Sequence, residues 1–204
     1  MNYFGHAAVA SWSSGHAGMA LGAMLPDFAT MSGARIAPCP DREVAAGIDL
    51  HHATDAAFHT LPVVTGLMRE LGEILDHKGC ARGPRRAVAH IGVELLLDGV
   101  LVDEPAYRDS FTFALAHEAA LSWRNPGDDA RFATLLARLR DHGVPDDLRH
   151  PHAITHRLSR MLAHRPLLAP SPDDLRAISA ALVDYQPRVA VAVDTVLRAL
   201  KVAL

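Results

Sequence analysis

Lysine and cysteine are almost missing from this chain: Lys78 and Lys201 are the only lysines, Cys39 and Cys80 the only cysteines. Two cysteines without a C-x2-C spacing supply neither a disulfide framework nor a zinc ribbon, and they read as free thiols in a reducing compartment. Aromatic residues are also scarce, at 5%, although half of the 204 residues are hydrophobic. An apolar mass made mostly of Ala, Leu and Val favours closely packed helices over a sheet sandwich. No apolar run approaches the roughly 18 residues that a membrane-spanning helix needs. The N-terminal stretch lacks a basic n-region and is broken by His6, Ser11 and Ser13, which is not an export signal. The expectation is a cytoplasmic protein with no membrane partner. A net charge of −3 argues against a general nucleic-acid binder.

Histidine is what the chain has in excess, with 13 spread along its length rather than gathered in a tract. Two stretches use them in a regular stride: His51-x3-Asp55-x3-His59 and His90-x3-Glu94-x3-Asp98. Four residues of α-helix turn about 400°, so each member lands about 40° on from the last and the three share a face. Helix pairs that offer imidazoles and carboxylates to a common point are how helical bundles build metal sites. The alternative for each triplet is a solvated stripe. For the first, Val44, Ile48 and Phe58 lie near the same side and turn the stripe inward. For the second, Arg86 extends the stride, so a wet face laced with charges stays open. His150, His152 and His156 have ligand-like spacing but sit among prolines and charges, which favours a solvated face.

Periodicity predicts an all-α fold, a compact bundle of about seven to nine helices in a single domain over 1–204, with 1–104 carrying the metal-type residues and 105–204 supplying packing helices. Helices are expected over 3–12, 16–24 (stopped near Pro26), 41–60 (capped by Asp41), a segment to 77 closed by Gly79, 85–101, 107–123, 128–142 (capped by Asp128) and 152–164. One more starts at Ser171-Pro172-Asp173-Asp174, and a last one covers 187–200. Residues 29–41 read as a loop, with Asp27 a turn or cap residue. Arg82-Gly83-Pro84-Arg85-Arg86 reads as a basic turn. Gly5-His6-Ala7 and Gly15-His16-Ala17 form a short repeat.

Three stretches carry a family likeness: Met1-Asn2-Tyr3-Phe4-Gly5-His6; Leu21-Gly22-Ala23-Met24-Leu25-Pro26-Asp27-Phe28; and Val44-Ala45-Ala46-Gly47-Ile48-Asp49-Leu50-His51-His52 followed by Asp55. With Glu94-Leu95-Leu96-Leu97-Asp98 further on, the first half of the chain resembles the acyl carrier protein phosphodiesterase family. The resemblance implies a helical fold similar to HD-type phosphohydrolases and a divalent metal: manganese, with iron or zinc as alternatives. It implies hydrolysis of the phosphodiester that joins 4′-phosphopantetheine to a serine of acyl carrier protein. His6, Asp27, His51, Asp55 and Asp98 match positions at or near the family's metal centre, and Glu94 matches an acidic position. His90 is outside that pattern; it and Glu94 are the candidates for carrying a proton. Two departures stand out: Asp49 and Gly99 occupy positions where the family has histidine. Acyl carrier protein is acidic, so Arg82, Arg85 and Arg86 are the expected docking patch. A related hydrolase of another phosphoester, such as a nucleotide, and a non-catalytic scaffold of the same fold remain open.

Overall fold

A computed structural model describes residues 1–13 and 16–204. Gly15, which opens the second copy of the Gly-His-Ala repeat, lies outside the described residues. The described residues are all-α as expected, in nine helices: α1 (Tyr3–Ala10), α2 (Ala17–Ser32), α3 (Arg42–Phe58), α4 (Pro62–His77), α5 (Arg82–Leu101), α6 (Pro105–Ala116), α7 (Asp128–His142), α8 (Pro151–Leu162) and α9 (Pro172–Ala203). A 3-10 turn at Asp146–Arg149 precedes α8. No helix among the described residues is long and apolar enough to cross a membrane. The chain divides into two compact units, Met1–Ala56 with Leu101–Pro145 and Ala57–Val100 with Asp146–Leu204. Each unit therefore combines segments from either side of residue 104.

In the first unit, α1 is buried along its whole length, as a helix without a polar face must be. It packs against α2 and α6. Tyr3 meets Phe28 at 5.6 Å and Phe111 at 6.1 Å between ring centroids, and Phe4 meets Phe111 at 5.4 Å. These rings hold three helices together with few aromatic residues. Gly22 on α2 and Gly47 on α3 permit a closer approach. A Cβ on Gly22 would stand 2.1 Å from the Val44 carbonyl oxygen, and one on Gly47 would stand 2.2 Å from that of Met19. The two backbones touch there because neither carries a side chain.

Several boundaries differ from the sequence expectation. Pro26 does not stop α2, which continues to Ser32 and ends on Gly33 at φ 68°. A proline inside a helix costs about 3 kcal/mol. Leu21, Met24, Leu25 and Phe28 are essentially fully buried around it, and burying each is worth about 1.5–3 kcal/mol, so packing carries the helix through. Asp27 is consequently a mid-helix residue rather than a cap. Asp41 does cap α3, its Oδ1 accepting from the N–H of Glu43 and Val44 at 2.9 and 3.2 Å. The α6 helix ends at Ala116 instead of 123, because the following backbone pairs with residues 35–37: Ala37 N–H donates to Ser122 O and Arg124 N–H to Arg35 O, each at 2.9 Å. Asp128 is not the cap of α7; Gly127, at φ 80°, holds that place. The buried Asp128 carboxylate instead accepts from the N–H of Arg35 and Asn125 and pairs with Arg131, tying that loop to the helix.

In the second unit, α9 packs against α4 and α8. The expected two helices there are one. Pro187 lies inside α9 on its solvated side, so the carbonyl it deprives of a partner, that of the exposed Val183, faces water. Ser171 and Asp174 form a reciprocal capping box at its start. Asp174 also accepts from Ala81 N–H at 2.7 Å, fixing the chain just before α5. The Arg82-to-Arg86 stretch, expected as a turn, is the first turn of α5.

Candidate metal centre

Three helices of the first unit bring His6, Asp27 and His51 together, with one ligand-type atom of each within 4.8 Å of the others. His6 is on α1 and only 1% exposed, and neither ring nitrogen has a hydrogen-bond partner. Its Nε2 lies 3.2 Å from Asp55 Oδ1 without hydrogen-bond geometry. His51, on α3, stacks on the His6 ring with centroids 4.0 Å apart. His51 Nδ1 lies 2.8 Å from the Ala23 carbonyl oxygen of α2. A carbonyl only accepts, so Nδ1 carries the proton and the lone pair stays on Nε2. That Nε2 is 3.6 Å from Asp55 Oδ2. Asp55, one turn along α3, also receives the Met1 ammonium at 2.7 Å.

The electrostatics keep these groups in ligand form. Burial pushes His51 down to about 4, with charge at His6 adding to the effect. Burial likewise lowers His6, against the pull of Asp55. Both imidazoles are therefore neutral at neutral pH. Burial works against ionisation of Asp55, but the facing His6 ring and the Met1 ammonium outweigh it and hold the carboxyl below the usual carboxylate range. A buried imidazole with no hydrogen bond, beside another whose proton is fixed on the far nitrogen, fits a divalent cation. Two nitrogen donors and a carboxylate suit manganese, iron or zinc, and the Ala23 carbonyl gives His51 the orienting contact that metal-binding histidines take.

The two sequence triplets are thus regrouped. The α3 helix ends at Phe58, so His59 falls outside its stripe. His51 and Asp55 join His6 and Asp27. In the second unit His59 joins His90 and Glu94, again with ligand-type atoms within 4.8 Å of one another. Asp98, expected in the first centre, lies on α5 in the second unit and is fully buried. The three-residue group of the first unit forms without it. Arg82 and Arg86 are exposed, whereas Arg85 is ion-paired to Asp76. His150, His152 and His156 are exposed, and His152 contacts Ser179 Oγ at 2.9 Å.

One departure from the resembled pattern, Gly99, has a local cause. A side chain at position 99 would meet the Leu148 carbonyl oxygen, 2.2 Å from the Cβ position, so no histidine fits beside that backbone. Asp49 lines a cavity of about 510 Å³ with Pro26, Ile36, Ile48, His52 and Arg124. Sequence reasoning missed the roles of the Ala23 carbonyl and of the Gly22–Gly47 contact. Only the glycines left a signal, as small residues on two otherwise buried helices. No family model, curated protein or solved structure matches the chain.

Proposed function

We propose that this chain is a metal-dependent phosphodiester hydrolase of the acyl carrier protein phosphodiesterase type, releasing 4′-phosphopantetheine from holo-acyl carrier protein in the cytoplasm. The supporting observation is the convergence of His6, Asp27, His51 and Asp55, four positions named by the family resemblance, from three helices of one unit. His6, Asp27 and His51 would hold the cation, manganese first and iron or zinc as alternatives. When bound, it supplies Lewis-acid polarisation of a phosphoryl oxygen.

The chain's own residues do the rest. Ala23 fixes the His51 tautomer, so its Nε2 needs no proton loss before it can bind. Asp55 faces both imidazoles and balances their surroundings with negative charge. Burial of His6 excludes water from its side of the group. Exposed Arg82 and Arg86 offer a positive patch for an acidic carrier protein. Two unpaired thiols, Cys39 and Cys80, support a reducing compartment.

The cavity bounded by Pro26, Ile36, Ile48, His52 and Arg124 favours a second substrate class, a small phosphoester whose organic part seats against apolar walls. Chelator-treated protein reloaded with manganese and assayed on holo-acyl carrier protein, bis(p-nitrophenyl) phosphate and nucleotides distinguishes the two. Release of phosphopantetheine supports the proposal. Turnover of small esters alone moves the protein to the second class, and no turnover on any of them with metal bound defeats both.

A further inference from the structure

The second unit holds a ligand-type group apart from the residues proposed above to hold the hydrolase's cation. His90 and Glu94 stand one turn apart on α5, with His90 Nε2 3.3 Å from Glu94 Oε1. His59 sits in the short connection between α3 and α4, between the fully buried Phe58 and the Pro62 that opens α4. Phe58 meets the His59 ring edge-on at 5.3 Å, and His59 stacks on His90 with centroids 4.7 Å apart and planes 16° from parallel. His59 Nε2 is 3.6 Å from the same Glu94 Oε1. Two imidazoles therefore turn the same nitrogen toward one carboxylate oxygen.

We propose that His59, His90 and Glu94 form a binding site for a borderline divalent cation, with zinc as the ion their donor set favours. Glu94 is 8% exposed, and the Nε2 atoms of both rings face one of its oxygens, which gathers two nitrogen donors and a carboxylate around one point. One cation engages all three ligand atoms, which already lie within 4.8 Å of one another. Two nitrogens and one oxygen select zinc over calcium or magnesium, which prefer oxygen alone. Three protein ligands leave a coordination position open, the arrangement of zinc sites that exchange water or substrate. The His90 side chain is 50% exposed, so the ion reaches the site without unfolding.

All three ligands belong to the second unit, so the inference stands apart from the hydrolase proposal. The full chain, stripped with chelator and dialysed against micromolar zinc, is analysed for bound metal beside a His59→Ala/His90→Ala double variant and a His6→Ala variant. The double variant binds one zinc ion fewer than the unaltered chain, and His6→Ala retains that ion. A zinc titration of the unaltered chain, followed by nitrogen-15 spectra of its histidine rings, shifts the His59 and His90 signals together. This second measurement holds even where the double variant fails to fold. Equal zinc content in the double variant and the unaltered chain, or unmoved His59 and His90 rings at saturating zinc, overturns the proposal.

Discussion

His51 is fastened to Ala23: its Nδ1 and the Ala23 carbonyl oxygen stand 2.8 Å apart, joining α3 to α2. That single contact sets the tautomer and aims Nε2 toward Asp55. His51→Ala removes a proposed ligand while leaving the helices in place. We expect metal content to fall in His51→Ala and in Asp55→Ala, with far-ultraviolet circular dichroism largely unchanged. Asp55→Ala falls less, because Asp55 faces the ligands rather than belonging to the three-residue group. Unchanged metal stoichiometry in both variants would refute the assignment.

The closeness of α2 and α3 makes its own prediction. Gly47→Ala pushes a methyl group to 2.2 Å from the Met19 carbonyl, and backbone has to move. We expect a loss of about 1–3 kcal/mol, as overpacked sites show, together with weaker metal binding. Gly66 on α4 is the control. Nothing lies within 4 Å of its Cβ position, so Gly66→Ala gains about 0.5–1 kcal/mol. Thermal melts of the two variants should shift in opposite directions.

Much of this was legible in the sequence, and the exceptions have physical causes. The Asp41 cap of α3 follows directly from local rules. The four-residue stride put His51 and Asp55 on one face, because i, i+4 spacing is a local property of any helix. Which neighbours they meet was not local. His6 and Asp27 reach them through packing between α1, α2 and α3, and only the family resemblance assigned them to a metal centre. His59 was misplaced because α3 stops one residue earlier, at Phe58, short of the expected end at residue 60. Pro26 read as a stop and Pro187 as the start of a separate helix because propensity ignores what surrounds a helix. In the first case buried neighbours compensate, and in the second the exposed face does.

The thiols should differ sharply in reactivity. Cys80 is buried, and burial together with the neighbouring Asp174 carboxylate pushes its pKa up to about 12. Almost none of it is thiolate at pH 8. Cys39 is partly exposed. Ellman's reagent on the folded chain should modify Cys39 promptly, and Cys80 only after denaturant is added. Equal rates for both would show that Asp174 and the packing around Cys80 are not as described.

Asp174 is also the pivot of an acid-sensitive capping box. Burial opposes its ionisation, but the N–H groups of Ala81 and Ser171 and the Ser171 hydroxyl outweigh this and lower its pKa. A carboxyl whose folded pKa is below its unfolded value contributes stability above about pH 4 and loses it as pH falls through the folded value. Asp174→Ala should cost about 1–2 kcal/mol at pH 7. The gap between variant and unaltered chain should narrow below pH 4. Urea titrations at several pH values check both the size and the sign.

Among the arginines of the α5 start, Arg85 is already paired with Asp76, whereas Arg82 and Arg86 are exposed. Arg82→Glu with Arg86→Glu should therefore weaken binding to acyl carrier protein more than Arg85→Glu alone. The loss should shrink as salt is raised, since exposed charges are screened. Affinity that is independent of ionic strength would remove this docking surface.

The most direct measurement is manganese binding by chelator-stripped protein, read by elemental analysis after dialysis and compared with His6→Ala and Asp27→Asn. The account predicts bound manganese in the unaltered chain and its loss in both variants. An unaltered chain that binds no manganese, iron or zinc, or variants that bind as much as it does, would contradict a metal centre at His6, Asp27 and His51.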